Sequence, residues 1–523
     1  MQYLVTGKEM KLFDENTSSH FHVPELVLME QAAMEFVREL FCLEERKNRH
    51  WKQALILCGC GNNGADGLAI ARLLSLRGRR VTVLACGEAA GLRPSDSYCA
   101  QREICEAYGI AAVREFPEDG AYDLIVDAVF GTGLTRGVEG ALAGVLEQAN
   151  AKEVWRVAVD ISSGVIADNG SVPGTAFDAD DTITFSFGKL GQFLWPGNEK
   201  SGAVHIVPIG ITKESFLGAK PRVAALEKSD LALPGRRAHS NKGTYGKVLV
   251  IAGSVNMAGA ACLCAMAAYR GGCGLVRVLT AEENRPVIQA TVPEAILAVY
   301  GERVDEAQVE QAVGWADSVV IGPGIGTDGR AKELLAHVLR SAAAPLVLDA
   351  DALNLLSEDE ELLSFLPQNA ILTPHLGEMA RLTGKSVAYL QEHLCDEASD
   401  FAKKYGVICV LKDFRTVTAL PDGSCYLNLS GNPGMAAAGS GDVLAGIIGS
   451  LLAQGMPPEQ ASVQGVFWHG LAGDAAAERV GMRAMMARDL VEGMEKFYTD
   501  TERKEALARL EQLRRRGTVI DDD

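Results

Sequence analysis

The sequence predicts an α/β protein built as two three-layer domains. Three observations carry this. Short apolar, β-branched runs alternate with helical stretches along most of the 523 residues, the pattern of a mainly parallel sheet with helices on both faces. Glycine is abundant, at 55 residues, and clusters beside those runs, as where backbone loops approach a ligand. A polar, mixed stretch at 212–236, with Pro221 and Pro234, divides the alternation into two series and reads as the connection between domains.

In the first series a helix is predicted from residue 24, with Leu28, Met29, Ala32, Ala33, Phe36, Val37 and Leu40 at helical spacing. Strands follow at 54–58, 81–85, 124–127, 155–159 and 182–187, with helices at 67–76 and 96–108. The series closes near 204–210, which sets a first, Rossmann-like domain at 1–215. The second series opens with the apolar run 247–253 and continues with strands at 275–279, 318–321, 345–349, 370–372 and 407–412. Its densest glycine cluster leads into a helix at 442–454, and this domain is placed at 225–500. Residues 501–523 form a charged tail, with a helix expected at 501–516 whose Leu507, Leu510 and Leu513 share one side.

Composition narrows the function classes. Apolar residues at 48% and charged residues at 23% exclude a mainly disordered chain. Fifty Lys and Arg against 68 Asp and Glu give a net charge of −18, the wrong balance for a phosphate-backbone binder, so no nucleic-acid partner is expected. No apolar stretch approaches the ~20 residues that span a bilayer, and the N-terminus lacks the pattern of a secretory signal. The twelve Cys lack zinc-knuckle spacing and read as buried free thiols in a reducing compartment. A cytoplasmic homo-oligomer acting on small molecules, without a membrane, is the expectation.

Residues 59–67, GCGNNGADG, lie between a strand and a helix. Such a junction aims backbone N–H groups and the positive helix end at an anion. Its two Asn and one Asp add partners for a sugar, an amide or a hydrated cation. A second loop, 127–137, runs from Asp127 through FGTGLTRG, and a third, DISSG, covers 160–164. All three follow strands, where open α/β sheets bind ligands. Asn63, Asp127 and Ser163 would then converge, and their oxygens suit a hard cation, although an Asp at a strand end is also a common turn former.

GNNGADG, DAVFGTGL and DISSG, with Lys189 and Pro196-Gly197 in FGKLGQFLWPG and the early helix motif MEQAA at 29–33, resemble the NAD(P)H-hydrate epimerase family over roughly 1–215. Gln31, Ala65 and Ser162 depart from the family's usual Asn, Gly and Pro. The resemblance implies a potassium ion near Asn63, Asp127 and Ser163. It also implies a hydrated nicotinamide nucleotide bound by Asn62, Asn63, Gly64, Ala65 and Asp66, by Gly131, Thr132, Gly133, Leu134, Thr135, Arg136 and Gly137, and by Asp160. The implied chemistry is inversion at C6 of the hydrated ring. That needs a group which moves a proton or stabilises a transient charge. Asp160 is the catalytic candidate, with ribose binding as its alternative role.

In the second half, GNPGM at 431–435 and Gly439-Ser440-Gly441-Asp442 precede an apolar helix. The Gly-Ser-Gly would leave unpaired N–H groups at the helix start, an anion hole for a migrating phosphoryl group. Asp442 beside it suits a base that takes the proton from a hydroxyl as it attacks phosphorus. No GxxxxGK[ST] phosphate loop is present. The motif resembles ribokinase-like folds. HSNKG at 239–243, IGPGIG at 321–326, LDADALN at 348–354 and LTPHLGE at 372–378 are similar to the ADP/ATP-dependent NAD(P)H-hydrate dehydratases over roughly 225–500. This resemblance implies that Ala260, Gly324, His375 and Asp442 line a hydrate site. It also implies that Lys412, Asp413, Phe414, Arg415, Thr416 and Gly441 face an adenine nucleotide, Asp413 standing where the family usually has Gly. ADP or ATP, with Mg2+, would be the co-substrate. The C6 hydroxyl would be phosphorylated and phosphate then eliminated.

The two resemblances together imply a bifunctional repair enzyme, isomerase and lyase, for hydrated NADH and NADPH. Two alternatives stay open on the residues. The first half could be a binding or assembly module, given Gln31, Ala65 and Ser162. The second could be a small-molecule kinase.

Overall fold

The structure, a computed structural model, describes residues 1–110, 112–117 and 120–498. The chain divides into two compact units, one comprising 2–224 and the other running from Ala225 onward together with Met1. The tail helix expected at 501–516 lies outside the described residues.

The first unit is built on an all-parallel sheet of seven strands. From edge to edge they are Ala112–Val113, Arg80–Leu84, Gln53–Cys58, Leu124–Ala128, Trp155–Val159, Asp181–Phe185 and Ala203–Val207. In Gln53–Cys58, Ala54, Ile56 and Cys58 enter one core, with Phe36 and Leu40 of the helix Glu25–Arg46. Leu55 and Leu57 enter the other, with Leu146 of the helix Gly140–Asn150. Alternate side chains are thus buried on both faces, which explains the unbroken apolar runs. Chain order reverses between Gln53–Cys58 and Leu124–Ala128, and a doubly wound sheet opens its ligand crevice at that switch point. This is the Rossmann-like arrangement expected.

The second unit repeats the plan. Ile296–Tyr300, Leu275–Ala281, Lys247–Ile251, Ser318–Ile321, Leu346–Leu348, Ile371–Leu372 and Ile408–Leu411 pair in parallel in that order. Val417–Ala419 and Cys425–Leu427 then add antiparallel hairpin strands. The helices Ala258–Arg270, Ser440–Ala453 and Pro458–Val480 bury a second core against this sheet, with Val250, Ala265, Ile447 and Trp468 inside it.

Several elements differ from the sequence expectation. The helix expected at 67–76 begins at Asn62. Its early glycines serve close packing: a methyl on Gly64 would stand 2.0 Å from the Gly59 carbonyl oxygen, and one on Gly67 would stand 2.6 Å from Ala128 Cβ. The stretch 212–236 is not a plain connection, because it holds the buried strand Val223–Ala225 and two 3-10 turns. The sequence reading did not foresee the strand Gln2–Val5 or the helix Gly7–Ser19, which Thr6 and Glu9 start as a reciprocal capping box. All twelve Cys are free, and all but Cys42 and Cys99 are buried. Among the described residues no helix is long and apolar enough to cross a membrane.

Candidate functional site

In the first unit a cavity of about 880 Å³ sits over the switch point. Asn62, Asn63, Asp66, Gly131, Thr132, Gly133, Leu134, Thr135, Arg136 and Asp160 line it, as the sequence reading expected. The N–H groups of Asn62, Asn63 and Gly64 occupy the first turn of a fifteen-residue helix whose Gly61 cap offers no side chain, so they stay open to an anion. Gly64, Ala65 and Gly137 are not part of the wall. Ala65 is helical, with its methyl in the apolar core, so it does not crowd the cavity. Ser162 is equally remote: its buried hydroxyl donates to Phe177 O and Lys200 O, both at 2.9 Å.

Asp160 stands at the end of Trp155–Val159 with φ +64, unusual for a residue with a side chain. Its backbone is fixed by N–H donation to Ile183 O at 2.9 Å and by Gln192 Nε2 on its carbonyl at 2.7 Å. Its Oδ1 accepts from Lys189 Nζ, from Thr184 Oγ1 at 3.1 Å and from the Phe185 N–H at 3.2 Å. Lys189 is fully buried and also donates to Thr184 Oγ1 and Phe185 O. The sequence reading placed Lys189 in a motif without giving it a role. Asp14, from the unforeseen first helix, and Glu25 complete an acidic wall. Burial, then Glu25, Glu15 and Asp160, push the Asp14 carboxyl up.

Asn63, Asp127 and Ser163 do come together, Asn63 in the cavity wall and the buried Asp127 and Ser163 behind it. Asp127 is fully buried and accepts from the Ser163 N–H at 2.8 Å, Ser163 Oγ at 2.7 Å and the Val129 N–H at 3.2 Å. Asn63 Nδ2 donates to Phe130 O, and the Phe130 N–H donates to Ser163 Oγ. Burial pushes the Asp127 carboxyl up to about 6. Among the described residues no cation touches it. An all-oxygen set around one carboxylate that lacks a counter-charge fits a monovalent cation.

In the second unit the helix Ser440–Ala453 starts after Gly439, whose φ of +92 only glycine adopts without strain. The Ser440 N–H donates to Ala437 O at 3.3 Å, so the anion hole expected from Gly-Ser-Gly narrows to the first-turn N–H groups of Gly441 and Asp442. Lys412 Nζ reaches this turn and donates to the buried Asp349 Oδ1 at 2.7 Å. Thr373 Oγ1 donates to the same oxygen at 2.7 Å. Burial opposes the Lys412 charge, but Asp349, Glu378 and Asp442 outweigh it and raise its affinity for the proton. Burial, with Asp349 and Asp351 adding to it, pushes the Asp442 carboxyl up to about 6. Ala350, between those two aspartates, has φ +49, a second strained position at a strand end.

Gly324, at φ +62, faces Ala260, and a methyl on it would stand 3.2 Å from the Ala260 Cβ. Gly326 N–H donates to Asp351 Oδ2 at 2.9 Å, tying this loop to the aspartate pair. His375 caps the helix Leu376–Thr383: its Nδ1 accepts from the Gly377 and Glu378 N–H groups at 2.9 and 3.3 Å. Burial, then Lys412 and Arg381, lower its basicity. Phe414 is half exposed, with the Arg415 guanidinium 4.6 Å from its ring centroid, and Arg415 Nη1 donates to Leu429 O. Asp413 and Thr416 lie in the same turn. The sequence reading missed two supports. Asp474 accepts from the Gly431 N–H and Asn432 Nδ2, both at 3.0 Å, and holds the GNPG loop. His469 Nε2 sits 3.0 Å from Ser440 O.

Residues 248–496 match the family described as NAD(P)H-hydrate dehydratase, and residues 25–191 match the YjeF-related protein N-terminus. The bifunctional NAD(P)H-hydrate repair enzyme of Moorella thermoacetica is 37% identical over 94% of this chain and 95% of its own. The chain belongs to this family of bifunctional repair enzymes. The Escherichia coli relative of the same description is 38% identical over 86% of this chain and 85% of its own. Among solved structures, the ADP/ATP-dependent NAD(P)H-hydrate dehydratase of Bacillus subtilis, co-crystallised with ATP and Mg2+, is 32% identical over 53% of this chain and 98% of its own, with a TM-score of 0.48. The cavity residues Asn62, Asn63, Asp66, Gly131–Arg136 and Asp160 fall in the YjeF-related match, whereas Asp14 lies before it, and the Asp349–Lys412–Asp442 group falls in the dehydratase match.

Proposed function

We propose that the first unit interconverts the two C6 epimers of NADH and NADPH hydrates and that the second returns the S epimer to the reduced nucleotide, using ADP or ATP. One observation carries the reading. Asp442, with its carboxyl pushed up to about 6, stands in a helix first turn that also offers two free N–H groups and abuts Lys412. A base, an anion hole and a fixed positive charge at one point suit phosphoryl transfer to a hydroxyl.

Asp442 takes the proton of the C6 hydroxyl as its oxygen attacks the terminal phosphorus of the nucleotide. The Gly441 and Asp442 N–H groups and Lys412 balance the charge on the moving group. The C6–O bond then breaks with loss of a C5 proton, phosphate leaves, and the 5,6 double bond returns. Phosphate leaves far more readily than hydroxide, which accounts for the nucleotide consumed. Ala260, Gly324 and His375 frame the hydrate, while Phe414 and Arg415 offer a flat face to the adenine. ADP would yield AMP and phosphate, and Mg2+ would arrive with the nucleotide.

In the first unit Asn62, Asn63 and Asp66 with Gly131–Arg136 hold the nucleotide, and Asp160, fixed by Lys189, handles the proton. Asn63, Asp127 and Ser163 would hold a potassium ion, which would supply the charge that buried Asp127 lacks and brace the loop at Phe130. The test is incubation of the pure protein with mixed epimers, with and without ADP and potassium. Complete conversion only with nucleotide is expected. A stable phosphorylated product would instead make the second unit a kinase.

A further inference from the structure

We infer that Asp66 is the general acid of the first unit and Asp160 its base, and that together they invert C6 by exchanging its hydroxyl for a water. The inference rests on the epimerase reading above and adds how inversion occurs. Both carboxyls line one cavity but come from different elements of the fold. Asp66 projects from the helix Asn62–Leu76, and Asp160 from the end of Trp155–Val159.

Their surroundings differ in kind. Three donors, one of them the Lys189 ammonium, point at Asp160 Oδ1, which suits a carboxylate that accepts. No donor reaches Asp66 among the described residues. The charged groups that act on it most are the carboxylates Asp160, Asp14 and Glu25 and the Lys189 ammonium, and Lys11, Glu15, Arg93 and Arg136 line the same cavity. Burial, and then those three carboxylates, push its carboxyl well above the usual carboxylate range, with Lys189 opposing. A carboxyl without donors among other carboxylates holds a proton. A carboxyl that no donor reaches and a carboxylate held by three donors, lining one cavity, divide into acid and base.

The substrate chemistry asks for such a pair. C6 of the hydrate carries the hydroxyl and is bonded to the ring nitrogen N1. Asp66 donates its proton to that hydroxyl. The C6–O bond breaks with its electron pair on the departing water, and the N1 lone pair forms a C6=N1 double bond. A second water adds to C6 from the opposite face, its proton passes to Asp160, and the lone pair returns to N1. One water leaves and one enters, with no redox change. The enzyme form left behind, with Asp66 ionised and Asp160 protonated, is set for the reverse inversion. Proton exchange with solvent in the cavity resets it.

The experiment epimerises one pure epimer with the intact protein, without nucleotide, in water enriched in oxygen-18 and separately in deuterium oxide. Incubations are kept short of uncatalysed exchange, and products are read by mass spectrometry. One heavy oxygen per inversion, with the C6 hydrogen retained, is expected. Inversion that keeps the original oxygen, as ring opening at N1 would, or that takes deuterium at C6, overturns the inference and leaves the epimerase reading intact. Absence of any inversion overturns both. Asp66→Asn gives a second readout. The wild-type rate should fall at high pH as Asp66 loses its proton. The variant should lose about 10²–10⁴-fold together with the high-pH limb. A folded Asp66→Asn protein with the wild-type rate and profile overturns the assignment.

Discussion

Lys412 donates to Asp349 at 2.7 Å, and both stand against the α-carbon of Gly441. A methyl on that glycine would lie 3.3 Å from Lys412 Nζ and 3.5 Å from Asp349 Oδ2. The sequence distance between 349, 412 and 441 is closed by the sheet. Ile321–Leu348 and Leu348–Leu372 register in parallel, and the His375–Lys412 bridge carries the order to the next strand end. Ion pair and helix start therefore form one device.

Removing the positive end of that pair leaves Asp349 buried and uncompensated. Lys412→Met should destabilise the second unit by about 3 kcal/mol, read by urea unfolding, and should weaken nucleotide binding. Adding Asp349→Asn should recover part of the stability but not the binding, a coupling that a double-mutant cycle measures.

Asp442 must be ionised to act as a base, and its carboxyl is pushed up to about 6. Dehydration should therefore rise with pH through about 6 and level off above it. Asp442→Asn should lower turnover with ADP by about 10²–10⁴-fold. Near-normal turnover by this variant would remove Asp442 from the mechanism.

His469 lies buried in the helix Pro458–Val480, and burial drives its imidazole down to about 4. Its folded value is below the unfolded value of about 6.5, so the unfolded chain binds more protons between the two. Stability is therefore complete above about 6.5 and is lost as pH falls toward 4, by on the order of 3 kcal/mol. Thermal unfolding of the second unit across that window should flatten in His469→Gln.

Asp160→Ala should stop interconversion of the epimers. Conversion of an equal mixture should then halt near one half, apart from slow spontaneous epimerisation. Fast, complete conversion would reject Asp160 as essential.

Exchanging potassium for a bulky organic cation should lower epimerase activity or substrate affinity. Unchanged kinetics after thorough removal would make Asn63, Asp127 and Ser163 loop braces only.

Sequence pattern made most of the parallel sheets legible, because strands buried on both faces are continuous apolar runs: Trp155–Val159 and Ser318–Ile321 fall where the pattern puts them. The short antiparallel strands Val417–Ala419 and Cys425–Leu427 were not, since three residues carry no period. Glycine misled at 64 and 67, where it serves close packing inside a helix rather than a loop. Motifs located Asp160, Lys412 and Asp442, and also held Lys189 and Asp349 without giving them a role, but other groups around the sites escaped them. Asp14, Asp474 and His469 lie far from those motifs in sequence and meet them only once the sheets form.

The strand Ala203–Val207 completes the seven-stranded sheet, with more than half of the chain still to follow. During synthesis that sheet can close while the second is still in the ribosome, because domains fold as units from the N-terminus. Two doubly wound sheets with the same strand order are prone to exchange equivalent strands when they fold side by side. Vectorial emergence keeps them apart in time, so refolding the full chain from denaturant should give more misassembled product than translation does.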